Sequence, residues 1–422
     1  MTGEARRALF AFGGVSFAYF AFSGLFLTYA PLWLQGLGYG TLAIGTLATF
    51  QAGTRLVGPY AWGWLADHLG SRTQLLRWAV GLALLSSLGY LGPNAWPWIV
   101  AVTVALFLCT AGVLPLNEAA LAHLVSREGS GALDAGRYGR VRLWGSIGFI
   151  VAVSGSGFLL EWLGVARFPL LVVVLLALLL GATTRLPLVR EPPHTGTVAI
   201  GALAVLRRPP VAWFFASVFF TVLGHAALYV FFSLYLVSLG YSTATVGLMW
   251  ALSVAVEVAW FWFQGRWVDR LSLHGWLVLA AIVTALRFAA TASFADVAWV
   301  LVAAQCTHAI TFAAQHTACI GVINRHFPGR LRGRGQALYS LLGYGASGLI
   351  GGVGGGALSA ALGFAAVFWA ASCAAALAAL CAWRALRLEH GGDRAAREPS
   401  SPGLAELNPA GASPSRLPDQ GR

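Results

Sequence analysis

The chain has 422 residues, of which 58% are hydrophobic and only 10% charged, and its basic residues are 27 arginines without a single lysine. A soluble domain carries about a quarter charged residues, so this chain cannot cover an aqueous surface and lipid must be the solvent for most of it. The formal charge of +12 does not point to nucleic acid, because the arginines fall between apolar runs and form no basic face.

A first apolar run, Ala8 to Leu34, follows Arg6 and Arg7. It exceeds the roughly 7–15 residues of a signal-peptide core and reads as a membrane span. A helical span needs roughly 20 apolar residues. Twelve stretches qualify: 8–34, 41–66, 75–93, 97–124, 139–162, 166–186, 211–238, 243–264, 275–295, 297–324, 335–361 and 364–386. The expected organisation is an N-terminal six-helix bundle over 1–186, a proline-bearing cytoplasmic loop over 187–210, a C-terminal six-helix bundle over 211–387, and a disordered cytoplasmic tail over 388–422. The fold class is therefore an all-α membrane protein of 12 transmembrane helices. All five cysteines lie inside apolar runs without metal-ligand spacing, so free thiols are expected, with no disulfide, metal or cofactor.

Arginine placement predicts orientation. The N-terminal tail and the loops after even-numbered spans, with the span ends that border them, hold 17 arginines, whereas the loops after odd-numbered spans hold only Arg167. The positive-inside rule then puts both termini in the cytoplasm.

The two halves repeat. Residues 34–67 align without gaps to 236–269 at an offset of 202, which maps Leu37 to Leu239, Gly38 to Gly240, Tyr39 to Tyr241, Gly45 to Gly247, Gly63 to Gly265 and Asp67 to Asp269. Six spans separate the copies, so the repeat is parallel, with an axis along the membrane normal and a substrate site between the bundles. The same offset sets Arg55 in the second span against Glu257 in the eighth.

Charge inside a membrane is costly, about 2.5–3.5 kcal/mol at a helix centre even on the lenient insertion scale, and marks function by default. Arg55, Glu257 and Arg287 lie near mid-span, Glu118 and Arg142 in the inner parts of spans four and five, and His225 and His308 centrally in spans seven and ten. Three arginines against two glutamates leave one net positive charge, which a bound carboxylate would neutralise, and a guanidinium matches a carboxylate in shape. On span ten His308, Thr311 and Gln315 share a face, with His316 off it; on span seven His225, Tyr229 and Phe232 do. Neither H-E-x-x-H nor G-x-S-x-G occurs, which argues against an enzyme.

The segment GWLADHLGSR at 63–72 resembles the major facilitator signature between spans two and three, with His68 and Ser71 in place of two arginines. That resemblance makes Gly63, Asp67, Gly70 and Arg72, with Asp269 in the degenerate second copy, candidates for conformational gating. RYGRVRLWGSIGF at 137–149, QAGTRLVGP around Arg55, GYSTATVGLMWALSVAVEV around Glu257 and CTHAITF around His308 are similar to the phenylpropionate transporters, a major facilitator family related to lactose permease. The similarity covers about 8–385. It implies substrate binding by Arg142, Glu118, Glu257 and Phe149, with Arg55 adding positive potential, and proton coupling through Glu257, His308 and Arg287. Two positions depart from lactose permease: Thr311 replaces its proton-carrying glutamate, and Phe149 its sugar-stacking tryptophan. The expectation is a monomeric proton symporter in the cell inner membrane that imports a small organic acid, an aromatic carboxylate such as 3-phenylpropionate. A sugar or nucleoside symporter and a proton-driven exporter are the alternatives.

Overall fold

In the computed structural model residues 3–125, 135–187, 202–328 and 331–395 are described. Most of the proposed central loop, and the tail from residue 396, lie outside them. The described residues form helices joined by short turns, without a strand. Ten helices are long and apolar enough to cross a membrane: Arg6–Gly36, Arg72–Leu91, Trp96–Ala122, Tyr138–Leu163, Val165–Thr184, Pro209–Ser238, Thr243–Arg266, Leu273–Phe294, Arg332–Leu362 and Phe364–Gly391. They are spans one, three to nine, eleven and twelve. Span two is the continuous helix Thr41–Leu69, whose glycines, Gln51 and Arg55 lower its hydropathy. Span ten is broken into Ala298–Cys306, a π-helical segment Ala309–Ala314 and Gln315–His326, and carries Gln305, His308, Gln315 and His316.

Packing follows the repeat. Span one packs on spans five and six, as span seven packs on eleven and twelve; span three meets span six as span nine meets twelve. Local details repeat as well. Gly38 and Gly240, related by the 202 offset, both adopt positive φ, 89° and 87°, which only glycine tolerates without strain. The next residues do the same work: Tyr39 donates its hydroxyl to the Asn94 carbonyl at 2.5 Å, and Tyr241 donates to that of Asp296 at 3.0 Å. Asn94 and Asp296 are also 202 residues apart. At the opposite end of span six, Arg77 donates to the carbonyls of Thr183, Thr184 and Leu186 at the end of that helix.

The bundles meet through span two on span eleven and span five on span eight. The contacts concentrate at the span ends away from the termini. A Cβ on Gly45 would collide with the Gly352 carbonyl, and one on Gly247 with that of Val153, so glycine lets the backbones touch. Hydrogen bonds lie across both seams: Thr49 to the Leu349 carbonyl at 3.0 Å, Thr243 to that of Gly157 at 3.0 Å, and Tyr29 to that of Thr243 at 3.3 Å. The Glu161 carboxylate accepts from the Ala244 N–H at the start of span eight at 3.0 Å. Arg142 and Glu118, nearer the termini, keep 50% and 34% of their side chains exposed. The path is sealed at the end of the odd-numbered loops and accessible from the other.

One expected boundary moves. The last helix runs Phe364–Ala395, past Arg387, so residues 388–395 are helical rather than part of a disordered tail. The cause is Glu389, which accepts from His274 Nδ1 and His326 Nε2, both at 2.9 Å, and lies 3.6 Å from Arg325. Span two continues through Gly63 and ends at Gly70 in the left-handed conformation.

Candidate functional site

Between the bundles lies a cavity of about 310 Å³, walled by spans one, two, seven, ten and eleven. Its lining is mostly aliphatic, with Phe26 and Pro31 from span one and Gln51 and Arg55 from span two. The opposite bundle contributes three rings: Tyr229, Phe312 and Tyr344. Each stands on its own π-helical segment, Ala227–Phe231, Ala309–Ala314 and Tyr339–Ala346. A π turn inserts a residue into the helix and re-aims the side chains around it, which is why such turns recur at functional sites.

Behind this wall lies a buried polar chain. Arg287, only 3% exposed, donates to Gln305 Oε1 at 2.8 Å, His308 Nδ1 at 2.9 Å and Thr311 Oγ1 at 3.0 Å. Ser253 donates to the same Gln305 oxygen. A guanidinium can only donate, so His308 Nδ1 must present its lone pair and the imidazole proton sits on Nε2. That nitrogen faces Glu257 Oε2 at 3.9 Å. The arrangement fixes the histidine tautomer and aims its proton at a carboxylate.

The other sequence-predicted residues divide. Arg142 pairs with Glu118, beside Tyr138 and Asn117 in a crevice of about 10 Å³ separate from the main cavity. Phe149 rests edge-on against Trp250 at 6.5 Å, and Trp250 stacks on Tyr229 at 6.2 Å, so Phe149 is two rings removed from the cavity. Thr311 belongs to the Arg287 network, whereas Gln315 donates to Cys319 Sγ instead. His308, Phe312 and His316 stack in nearly parallel planes, 5.2 and 6.1 Å apart, at four-residue intervals. This stripe, unlike the His308–Thr311–Gln315 face, presents a ring to the cavity. His225 donates Nδ1–H to the Thr221 carbonyl and leaves Nε2 buried and unpaired; neither His225 nor His316 lines the cavity. Of the gating candidates, Gly63, Asp67, Gly70, Arg72 and Asp269 all lie at the end with the termini, where Asp67 and Asp269 are exposed. Gln51, Phe312 and Tyr344 escaped sequence reasoning; Phe312 and Tyr344 stand on π segments, which have no compositional mark. The only available signal was the interval of four that links His308, Phe312 and His316.

Comparison with known proteins bears on the fold and the family. The chain is 29% identical over 336 residues to a probable 3-phenylpropionic acid transporter of Escherichia coli strain K12, covering 78% of this chain and 86% of that one. It is 27% identical over 338 residues to a maltose permease of Geobacillus stearothermophilus, covering 78% and 81%. The crystal structure of the nucleoside transporter NupG superposes with a TM-score of 0.76 at 15% identity, covering 90% of this chain and 99% of that one, which shows a shared fold. These relatives are membrane transporters rather than enzymes. A model of the MFS_1 like family matches residues 9–370, and this multi-pass membrane protein, with its two bundles closed over one end of a central path, belongs to that family of transporters.

Proposed function

We propose that the protein is a proton-coupled symporter of the cell inner membrane that imports a small organic acid, an aromatic carboxylate such as 3-phenylpropionate. The observation that carries this reading is the buried chain Arg287–His308–Glu257. A carboxylate and an imidazole are the side chains that exchange protons near neutral pH, and a fixed cation behind them makes the chain's charge depend on that exchange. In the proposed cycle Glu257, and His308 once Arg287 lets go of its Nδ1, load a proton when the path opens outward and release it to the cytoplasmic side. The two bundles rock about the site, with both termini in the cytoplasm.

The substrate class draws on the cavity. A sugar offers hydroxyls on every side and needs many polar partners, but this lining is predominantly apolar and aromatic. It suits a ring better than a disaccharide, although one relative is named a maltose permease. The relative named for 3-phenylpropionic acid supports the same choice.

The test is counterflow in proteoliposomes with a panel of aromatic acids, sugars and nucleosides, repeated with an imposed proton gradient. Exchange of 3-phenylpropionate, and its gradient-driven accumulation, are expected. Exchange of a sugar but of no aromatic acid would refute the substrate class. Accumulation indifferent to the gradient would refute the coupling.

A further inference from the structure

Of the three arginines singled out inside the spans, Arg55, Arg142 and Arg287, two are already answered. Arg142 is paired with Glu118. Arg287 is committed to Gln305, His308 and Thr311 on one side of the relay, with Glu257 on the other. Arg55 differs from both. It faces the cavity and is exposed there, and among the described residues no hydrogen bond or ion pair reaches its guanidinium. The single positive charge left over by three arginines and two glutamates therefore resides on Arg55. Gln51, one turn earlier on the same helix face, adds an amide to the same wall. Across from them stand Tyr229, Phe312 and Tyr344 on their π segments.

We infer that Arg55, rather than Arg142, is the anchor for the substrate's carboxylate, and that the three rings of the opposite bundle hold its aryl end. The ligand class is a short aryl-substituted carboxylic acid that bridges the two bundles, with the anion on span two and the ring on spans seven, ten and eleven. An unpaired guanidinium facing an apolar cavity is costly by itself and becomes favourable when a carboxylate meets its planar donors. The bound ring gains aromatic contacts beyond simple burial. A volume of about 310 Å³ is at the lower end of small-molecule sites, which suits a compact acid.

This assignment rests on the acid-import reading, and one experiment separates the two. Binding of 3-phenylpropionate and of its neutral analogue 3-phenylpropan-1-ol is measured by calorimetry on the purified full-length protein and on Arg55→Gln, Arg142→Gln and Gln51→Glu. Wild type should prefer the acid. Arg55→Gln should weaken the acid by about tenfold to a hundredfold, the range for a lost charge-assisted hydrogen bond, with the alcohol within about twofold. Retained alcohol binding reports an intact cavity. Gln51→Glu places a carboxylate one turn from the guanidinium and should erase the acid preference by neutralising it; this variant decides the matter if Arg55→Gln does not fold. Acid preference retained in either folded variant, with loss in Arg142→Gln, would overturn the assignment and leave acid import standing. A wild-type protein with no preference for the acid would overturn both.

Discussion

The seal between spans five and eight can be loosened by one methyl group, and the consequence can be worked out from distances. Gly157 is buried in that seam. A Cβ placed on it would lie 2.8 Å from the Thr243 carbonyl oxygen and 3.1 Å from the Ala244 Cα, both of them backbone atoms that no rotamer change can move. Ordinary contact begins near 3.4 Å, so span eight would have to retreat by about 0.6 Å at Thr243. That retreat stretches the Thr243 hydroxyl bond to the Gly157 carbonyl from 3.0 Å, and the Tyr29 hydroxyl bond to the Thr243 carbonyl from 3.3 Å, both to beyond hydrogen-bonding range. Losing two such bonds costs about 1–3 kcal/mol, all of it against the sealed state, because an outward-open state does not make them. The equilibrium between states should therefore shift toward outward-open by about 5- to 150-fold. The assay is alkylation of an Ala30→Cys reporter, whose side chain lines the cavity, by an impermeant maleimide in right-side-out vesicles of a cysteine-free background. Gly157→Ala should raise the labelling rate. An unchanged or slower rate in a protein of normal expression would show that the seam does not set the balance between states.

Three further outcomes follow from named contacts. Arg287→Lys keeps the charge, but one ammonium cannot serve Gln305, His308 and Thr311 in the same plane; gradient-driven uptake should collapse while counterflow, which needs no net proton movement, persists, and equal loss of both would refute a coupling role. Glu389→Gln removes the charge that holds His274, His326 and Arg325, and should cost about 1–3 kcal/mol, read as a lower apparent unfolding temperature in detergent; an unchanged temperature would mean that the end of span twelve contributes nothing. Arg77→Ala frees the carbonyls of Thr183, Thr184 and Leu186 at the end of span six and should cost about 1–2 kcal/mol in the same assay, with Arg77→Lys intermediate.

The parts of this molecule that rest on local pattern were legible in the sequence. Hydropathy marks the spans because lipid imposes it on each helix separately. The 202 offset reappears in the backbone of Gly38 and Gly240 and in the bonds of Tyr39 and Tyr241, because a turn is decided by a few neighbouring residues. The site was less legible, because partners across a bundle are chosen by geometry. The offset matched Arg55 with Glu257, yet equivalent places in two bundles need not face each other. Glu257 stands by His308, and Arg55 faces the cavity with no partner among the described residues. Phe149 carried the expected ring, but Trp250 lies between it and Tyr229. Helix periodicity set Thr311 and Gln315 on the face of His308; Thr311 does share an Arg287 nitrogen with His308, whereas past the π turn at Ala309–Ala314 Gln315 bonds to Cys319 and Phe312 reaches the cavity wall.

On the proposed reading substrate and proton are coupled through an element that both of them bias. The ring of Tyr229 has that position. It lines the cavity, stacks on Trp250 at 6.2 Å and lies 6.1 Å from the ring of His225. Its hydroxyl sits in the electrostatic fields of Arg55, Glu257 and Arg287 at once. An acid bound at Arg55 would cancel one of those charges, and a proton arriving at Glu257 would cancel another of opposite sign. On the proposed reading each event therefore makes the other less costly, since together they leave the charge balance around Tyr229 as it was. Parallel duplication supplies two bundles of one fold, and this exchange needs them unequal in charge. The cation without a partner among the described residues stands on span two of one bundle, while the proposed proton acceptors stand on spans eight and ten of the other.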